Sequence, residues 1–414
     1  MAKILILIAG PLSSAPRPQK EALALAAAGH AVTIFGVWST TTGARHDFLL
    51  MRQGLWHFQP VVDLRPIGWR GRVTGSWLRL NTRLARTLHR RGGWFSPELL
   101  GYGVRRLRAC ALAERADLTI VHAEGGLWIA EQLRAAGLRV GVDFEDWFAE
   151  DLPEAARAQR PLARLRELEG SLLRHARYRL TTSHALAEAL AARYGVAPPR
   201  VVYNVFPASD RAGLDHQSLD RRHGRQRVSL HWFSQSLGPG RGLELLFAAL
   251  PRVRTPVEIH LRGETSPATH SWLEAQVPPD LRPHLYTHAL VPNQALLSRI
   301  AEHDIGLSLD TPTIRSRDLT ITNKLFQYLL AGLPVIATAT RGQREILDAA
   351  PTAGRLVSAN DPKELARAID DLARDPARLV QHKAAALTLA TTRYCWEQQA
   401  PVVVAAAEEA LRQP

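Results

Sequence analysis

The chain alternates between short, wholly apolar runs and longer alanine- and leucine-rich stretches, and that alternation leaves few architectures open. The first run, Lys3-Ile-Leu-Ile-Leu-Ile-Ala9, has no polar position after its lysine and stops at Gly10-Pro11. A strand with one face in water would alternate polar and apolar residues. One that is apolar on both faces belongs inside a parallel sheet. Gln19 to Ala28 predicts a helix, Gly29 ends it, and Ala31-Val-Thr-Ile-Phe35 is the next strand, so the chain opens with a βαβ unit. The pattern returns with a strand at Leu118–His122, a helix at Leu127–Ala136, and strands at Arg139–Asp143, Arg179–Thr182 and Val201–Tyr203.

From Val205 to Arg227 the chain turns polar, with Asp-Arg-Arg-His-Gly-Arg near its end, and the alternation then restarts. Strands are expected at Val228–Gln235, Val257–Leu261, Leu285–His288, Ile305–Leu309 and Pro334–Ala337. Helices are expected at Gly242–Leu250, Ser271–Gln276, Asn293–Glu302, Asn323–Ala331, Pro362–Arg374, Pro376–Leu389 and Trp396–Leu411. This predicts an α/β protein of two doubly wound domains, residues 1–205 and 228–392, joined by a linker at 206–227. Ligands in such sheets bind beyond the carboxyl ends of the strands, so the expected site is the cleft between the halves.

Composition removes whole classes of function. Two cysteines, Cys110 and Cys395, exclude a disulfide framework and a multi-cysteine metal centre. No apolar run approaches the ~20 residues of a membrane span, and the opening run is too short for a signal peptide. The expected location is the cytoplasm, at most on the inner face of the membrane. The net charge of +13 comes almost wholly from arginine, since lysine occurs only at 3, 20, 324, 363 and 383. That bias, with the abundant alanine, suggests a GC-rich bacterial genome. A basic surface still attracts phosphates, nucleic acid or anionic lipid.

Two helix starts in the second half favour anions. In Ser316-Arg-Asp-Leu-Thr-Ile-Thr-Asn-Lys324 a polar loop runs into a helix near Asn323, whose open amides and dipole attract an anion, with the Lys324 charge beside them. The plainer alternative is a capped helix with a solvated lysine. In Phe233-Ser-Gln-Ser-Leu-Gly-Pro-Gly-Arg-Gly-Leu-Glu244 three glycines join a strand to a helix around Arg241. This is neither a Walker A loop nor GxGxxG, and an ordinary glycine turn is the alternative. Together the two starts favour a diphosphate.

The run Asn323-Lys-Leu-Phe-Gln-Tyr-Leu-Leu-Ala-Gly-Leu-Pro-Val-Ile-Ala, followed by Gly342-Gln-Arg-Glu-Ile346, resembles the carboxyl-half signature of GT-B glycosyltransferases, closest to the retaining, nucleotide-sugar-dependent family 4. Other pieces are similar in order: Lys20-Glu21 with Ala28-Gly-His30, Ser183, Val202-Tyr-Asn204, Ala301-Glu-His-Asp-Ile-Gly306 and Tyr394-Cys-Trp-Glu397. The resemblance implies two Rossmann-like domains, with a final helix at about 393–414 returning to the first. It implies Arg241 and Lys324 on the donor diphosphate. Ser234, Gln235, Gly238 and Gly240 would lie beside it, with Asp318, Thr320, Thr322, Asn323, Gln327 and Glu345 around sugar and nucleotide. It implies a nucleotide-sugar co-substrate, with no further cofactor and no metal. The family often carries two glutamates seven residues apart. Here Gln327 takes the second place and Leu319 the first, with Asp318 the nearest acid.

In the first half, His122-Ala-Glu-Gly-Gly126 and Asp143-Phe-Glu-Asp-Trp-Phe-Ala-Glu-Asp151 each follow a strand. Glu145 and Asp146 are candidate charge-stabilising residues, and His122, Glu124 and Asp143 candidate acceptor contacts. A solvated acidic loop is the alternative. Between Arg65 and Arg108, tryptophans 69, 77 and 94 lie among arginines, those from 79 to 90 at helical spacing. That reads as an interfacial helix on anionic lipid or as a solvated basic face. No nucleic-acid motif is present. The expected activity is retaining transfer of a sugar to a glycan, lipid-linked or small-molecule acceptor. A sugar-nucleotide epimerase and a non-catalytic nucleotide- or glycan-binding protein are the alternatives.

Overall fold

The computed structural model describes residues 1–52, 54–157, 159–215 and 227–412. It comprises two compact units. One is Met1–Thr182 with Leu186–Val202 and the chain from Ala400 onward; the other is Ser183–Ala185 with Tyr203–Gln399. The polar segment 216–226, within the expected linker, lies outside the described residues. So does the side chain of Arg70. The described part of the expected linker includes a 3-10 turn, Ala208–Gly213.

The first unit carries strands β1 (Lys3–Leu7), β2 (Ala31–Trp38), β3 (His57–Asp63), β4 (Leu118–Val121), β5 (Val140–Phe144), β6 (Tyr178–Thr181) and β7 (Arg200–Val201). Its helices are α1 (Pro16–Ala27), α2 (Thr41–Met51), α3 (Gly68–Gly92), α4 (Val104–Glu114), α5 (Ala123–Ala135), α6 (Glu154–Arg157), α7 (Leu162–His175) and α8 (His184–Tyr194). The sheet order is β3-β2-β1-β4-β5-β6-β7. All pairs are parallel, with Ile4 opposite Val32 on one side and Leu118 on the other. Ile4, Leu5 and Ile6 are fully buried, as a central strand apolar on both faces must be.

The second unit carries β8 (Val228–Ser236), β9 (Val257–Glu264), β10 (Leu285–His288), β11 (Ile305–Ser308), β12 (Val335–Thr338) and β13 (Gly354–Val357) in the order β10-β9-β8-β11-β12-β13. Its helices are α9 (Leu243–Ala249), α10 (Pro267–Gln276), α11 (Asn293–Ala301), α12 (Arg315–Leu319), α13 (Asn323–Ala331), α14 (Arg341–Leu347), α15 (Pro362–Ala373) and α16 (Pro376–Thr392), while the last helix, α17 (Trp396–Arg412), starts in this unit and from Ala400 onward belongs to the first. Leu230, Trp232, Ile259, Ile305, Leu307 and Ile336 from the sheet pack with Leu246 and Ile369 from the helices. Both sheets are doubly wound, as expected.

The structure adds elements the pattern does not announce. β3 contains Pro60 and mixes polar with apolar residues; it is tolerated because it is an edge strand. β13 is four residues long and also at an edge. Where a polar loop is expected before Asn323, Arg315–Leu319 forms a short helix. Among the described residues no helix is long and apolar enough to cross a membrane.

Candidate active site

In the second sheet the strand order reverses between β8 and β11, and the crevice of such a fold opens at their carboxyl ends. The glycine turn after β8 sits there. Gly242 has φ +84°, and a Cβ on it would lie 1.7 Å from the carbonyl oxygen of Leu309. Only glycine lets the turn rest directly on the chain leaving β11. The next residue, Asp310, pairs with Lys324 Nζ at 3.5 Å, and Lys324 also lies 5.3 Å from the centre of the buried Trp232 ring. Arg241, preceding Gly242, donates to Ser234 Oγ at 3.2 Å. The two cationic residues from separate helix starts are thus joined through Leu309 and Asp310.

Thr322 is the N-cap of α13 and makes no side-chain cap bond, so the first amides of the helix keep the anion-favouring arrangement. Asn323 is exposed, and Gln327 lies half-buried one turn further on the same face. Gln235 is exposed at the end of β8. Gly238 and Gly240 stand in open space, and the Gly240 amide donates to the Glu244 carboxylate in the first turn of α9. That loop therefore already binds one oxyanion of the chain's own.

Two of the expected donor residues, Asp318 and Glu345, have partners within the chain. Asp318 lies in α12, not in a loop, and its carboxylate accepts the amide of Arg341 at the start of α14. Leu319, at the family's first glutamate position, is buried, and its carbonyl accepts from Ser183 Oγ at 2.6 Å. Glu345 accepts the amides of His184 and Ala185, the start of α8, and Tyr203 Oη lies 3.5 Å away. It caps a helix. The residue that sequence reasoning missed is Gln343. Buried, it donates to the carbonyls of Ser308 and Thr338 at 3.2 and 2.9 Å and accepts from Ser308 Oγ, tying the ends of β11 and β12 together. Thr340 caps its amide, and a Cβ on the neighbouring Gly342 would lie 2.3 Å from the Thr320 carbonyl. The spacing Gly-Gln-x-Glu thus encodes a close approach, a clamp and a cap.

In the first unit the reversal falls between β1 and β4. His122 follows β4 and is buried, with Nε2 2.8 Å from Glu21 and Nδ1 2.8 Å from Glu145. Burial opposes its protonation, but the two carboxylates prevail and raise its pKa to about 10. It is an imidazolium, donating from both nitrogens. Glu145, half-buried, is held below the usual carboxylate range: burial pushes it up, and the His122 bond and charge more than offset that. Ala123, the next residue after His122, has φ +62°, a strained value for a side-chain-bearing residue.

Asp143 does not emerge from its strand. It lies inside β5, 1% exposed, held bidentately by Arg17 at 2.6 and 3.1 Å, and Arg17 also donates to the Val202 carbonyl. Tyr178 donates to Glu21. Asp143 and His122 are therefore both buried and held by charged partners of the chain. Glu124 pairs with Arg160, and Asp146 is half-buried in the turn after β5. Glu150 is shared by Arg157 and Arg166. The acidic run is thus mostly paired, not solvated. Arg17 and Glu21, charged residues on the buried face of α1, were the overlooked signal. Glu21, His122 and Asp143 have ligand atoms spaced as for a metal ion. Yet each carboxylate already has a cationic partner, and the nearby Arg17 charge opposes a further cation.

Comparison with known proteins follows the same division. Residues 15–205 match the family described as glycosyl transferase 4-like domain, and residues 232–375 the family glycosyl transferases group 1. Among solved structures, Anabaena Alr3699/HepE, crystallised with UDP-glucose, is 17% identical with TM-score 0.69 over 99% of this chain and 100% of that one. Sucrose-phosphate synthase from Thermosynechococcus elongatus is 16% identical with TM-score 0.67 over 98% of each. A putative UDP-N-acetylglucosamine 2-epimerase from Listeria monocytogenes is 15% identical with TM-score 0.58 over 100% and 99%. A search of curated proteins returned no significant match. With residues 15–205 matching one glycosyltransferase family, residues 232–375 another, and the fold shared with these solved structures over nearly the whole length, the chain is a glycosyltransferase of the GT-B fold.

Proposed function

We propose that this glycosyltransferase takes a nucleotide sugar as donor and transfers the sugar with retention of configuration. The observation that carries the reading is the joining of Lys324 and Arg241 at the β8–β11 reversal, through Asp310 and the Gly242–Leu309 contact. Two cations and the open α13 amides suit a leaving diphosphate, whose charge grows as its bond to the anomeric carbon breaks. In the retaining reading the acceptor oxygen bonds the anomeric carbon from the same face, and its proton passes to the leaving phosphate oxygen. No protein nucleophile and no metal is then required. Ser234, Gln235, Gly238, Thr320, Thr322, Asn323 and Gln327 complete the donor set. Glu145, kept ionised by His122, and Asp146 serve the acceptor hydroxyl.

The UDP-glucose bound by the Anabaena protein makes a uridine nucleotide the first donor to test. The acceptor is a glycan or lipid-linked sugar, reached from the inner face of a bacterial membrane. An epimerase is disfavoured, because His122, held protonated between two carboxylates, is a poor proton shuttle near neutral pH. In a thermal-shift screen of nucleoside diphosphates and nucleotide sugars, a bound ligand raises the midpoint with concentration. NMR of the anomeric proton of the product then reports retention. No stabilisation by any nucleoside diphosphate at millimolar concentration overturns the donor assignment, and an inverted product overturns the mechanism.

A further inference from the structure

Helix α3 is built inside out. Its inward face carries small residues: Gly75, Thr82 and Ala85 are buried, with Leu78 half-buried. Its large apolar residues point away from the unit. Trp69 is 72% exposed, Trp77 61%, and Val73, Leu80, Leu84 and Leu88 between 48% and 60%. At about 100° per residue these six positions fall within an arc of roughly 100°. A 25-residue helix with a continuous outward apolar stripe is a surface meant to be covered.

The charges say by what. The helix holds seven arginines and no aspartate or glutamate. Arg72, Arg83, Arg86 and Arg90, all exposed, fall together along one edge of the stripe by the same helical geometry, while Arg79 is turned back to donate to the Leu64 carbonyl. A second copy of this chain packed on the stripe would bring arginine against arginine with no acid on either helix to pair them. An anionic bilayer meets both halves of the pattern: arginine stems lie along apolar surface while their guanidiniums reach phosphate, and tryptophan favours the headgroup depth. Trp94, 73% exposed just past the Gly93 cap, continues the same composition.

We propose that α3 docks this protein on an anionic membrane by laying its apolar stripe into the headgroup layer, with the arginine edge on lipid phosphates. The reading of the active site supplies only a reason for such a surface, a lipid-linked acceptor. Docking is measured without donor or acceptor, so the two fail separately.

The test uses the full chain with vesicles of phosphatidylcholine alone or with phosphatidylglycerol. Co-sedimentation should show binding at least ~10-fold tighter to the anionic vesicles, weakened by salt. Brominated acyl chains should quench tryptophan emission. The combined variant Leu80→Gln, Leu84→Gln, Leu88→Gln changes only exposed residues, so its melting curve should match the parent while it loses ~10-fold or more of vesicle binding and the quenching. Arg83→Gln, Arg86→Gln, Arg90→Gln should lose the preference for anionic lipid. Transfer to a soluble acceptor should be unchanged in both. Absence of binding at low salt, or an unaffected leucine variant, overturns the proposal. So does concentration-dependent self-association without vesicle binding that the leucine variant abolishes, which would assign the stripe to a second copy.

Discussion

Lys324 lies half-buried between the Asp310 carboxylate and the Trp232 indole, a setting in which its charge has a large effect on a developing negative charge. Lys324→Ala should lower turnover by ~10²–10³ with an intact melting curve. Near-normal turnover would remove the phosphate assignment. Glu345 tests the opposite kind of role. Because its two oxygens cap α8, Glu345→Ala should cost about 1–3 kcal/mol of stability while donor affinity stays put. A selective loss of donor binding at unchanged stability would restore it to the donor set. Gln327 is the neutral departure from a family glutamate, half-buried on the face that begins at Asn323. If it bonds a donor hydroxyl, Gln327→Glu raises activity; if it lies against the diphosphate, activity drops as like charges meet. Unchanged kcat and KM would show that it does not touch the donor.

At the scale of elements, the turn between β8 and α9 holds the second cation in place by steric contact more than by bonding. Gly242→Ala adds a methyl to a left-handed residue already against the Leu309 carbonyl. The backbone conformation alone costs ~1–2 kcal/mol, and the clash must also move the turn. Arg241 should then lose its alignment, so diphosphate affinity should fall with stability. Calorimetry showing full diphosphate affinity in Gly242→Ala would mean the turn does not position Arg241. The polar stretch before Asn323 illustrates where local reasoning stops. Its composition reads as loop, yet Arg315–Leu319 forms a short helix whose Asp318 faces the start of α14.

The whole molecule carries a pH signature through the buried network of its first unit. His122 has a folded pKa of about 10, above its ordinary value of ~6.5. A raised cationic pKa adds stability that is complete below the ordinary value and is lost as pH rises through the folded one. The thermal midpoint should therefore fall between neutrality and about pH 10. His122→Asn should be less stable near neutral pH and show a flatter slope over that window. Parallel slopes for both proteins would mean that His122 is not the group responsible.

What could be read without coordinates followed from short-range physics. Apolar runs on both faces called for parallel strands, and Ile4 to Leu7 and Ile305 to Leu307 are such strands. The glycine turn and the Asn323-Lys324 helix start were legible as anion-favouring because amides and charges there are neighbours in sequence. The tertiary structure decided the rest, since those roles join residues distant along the chain. It made Glu345 a cap through contact with His184, made Asp143 a buried partner of Arg17, and made Gln343 a clamp between two strands. It also turned the leucines and tryptophans of α3 outward. Helical periodicity reports that a helix has an apolar face; only the packing of Gly75, Thr82 and Ala85 on the unit shows that this face points to the outside.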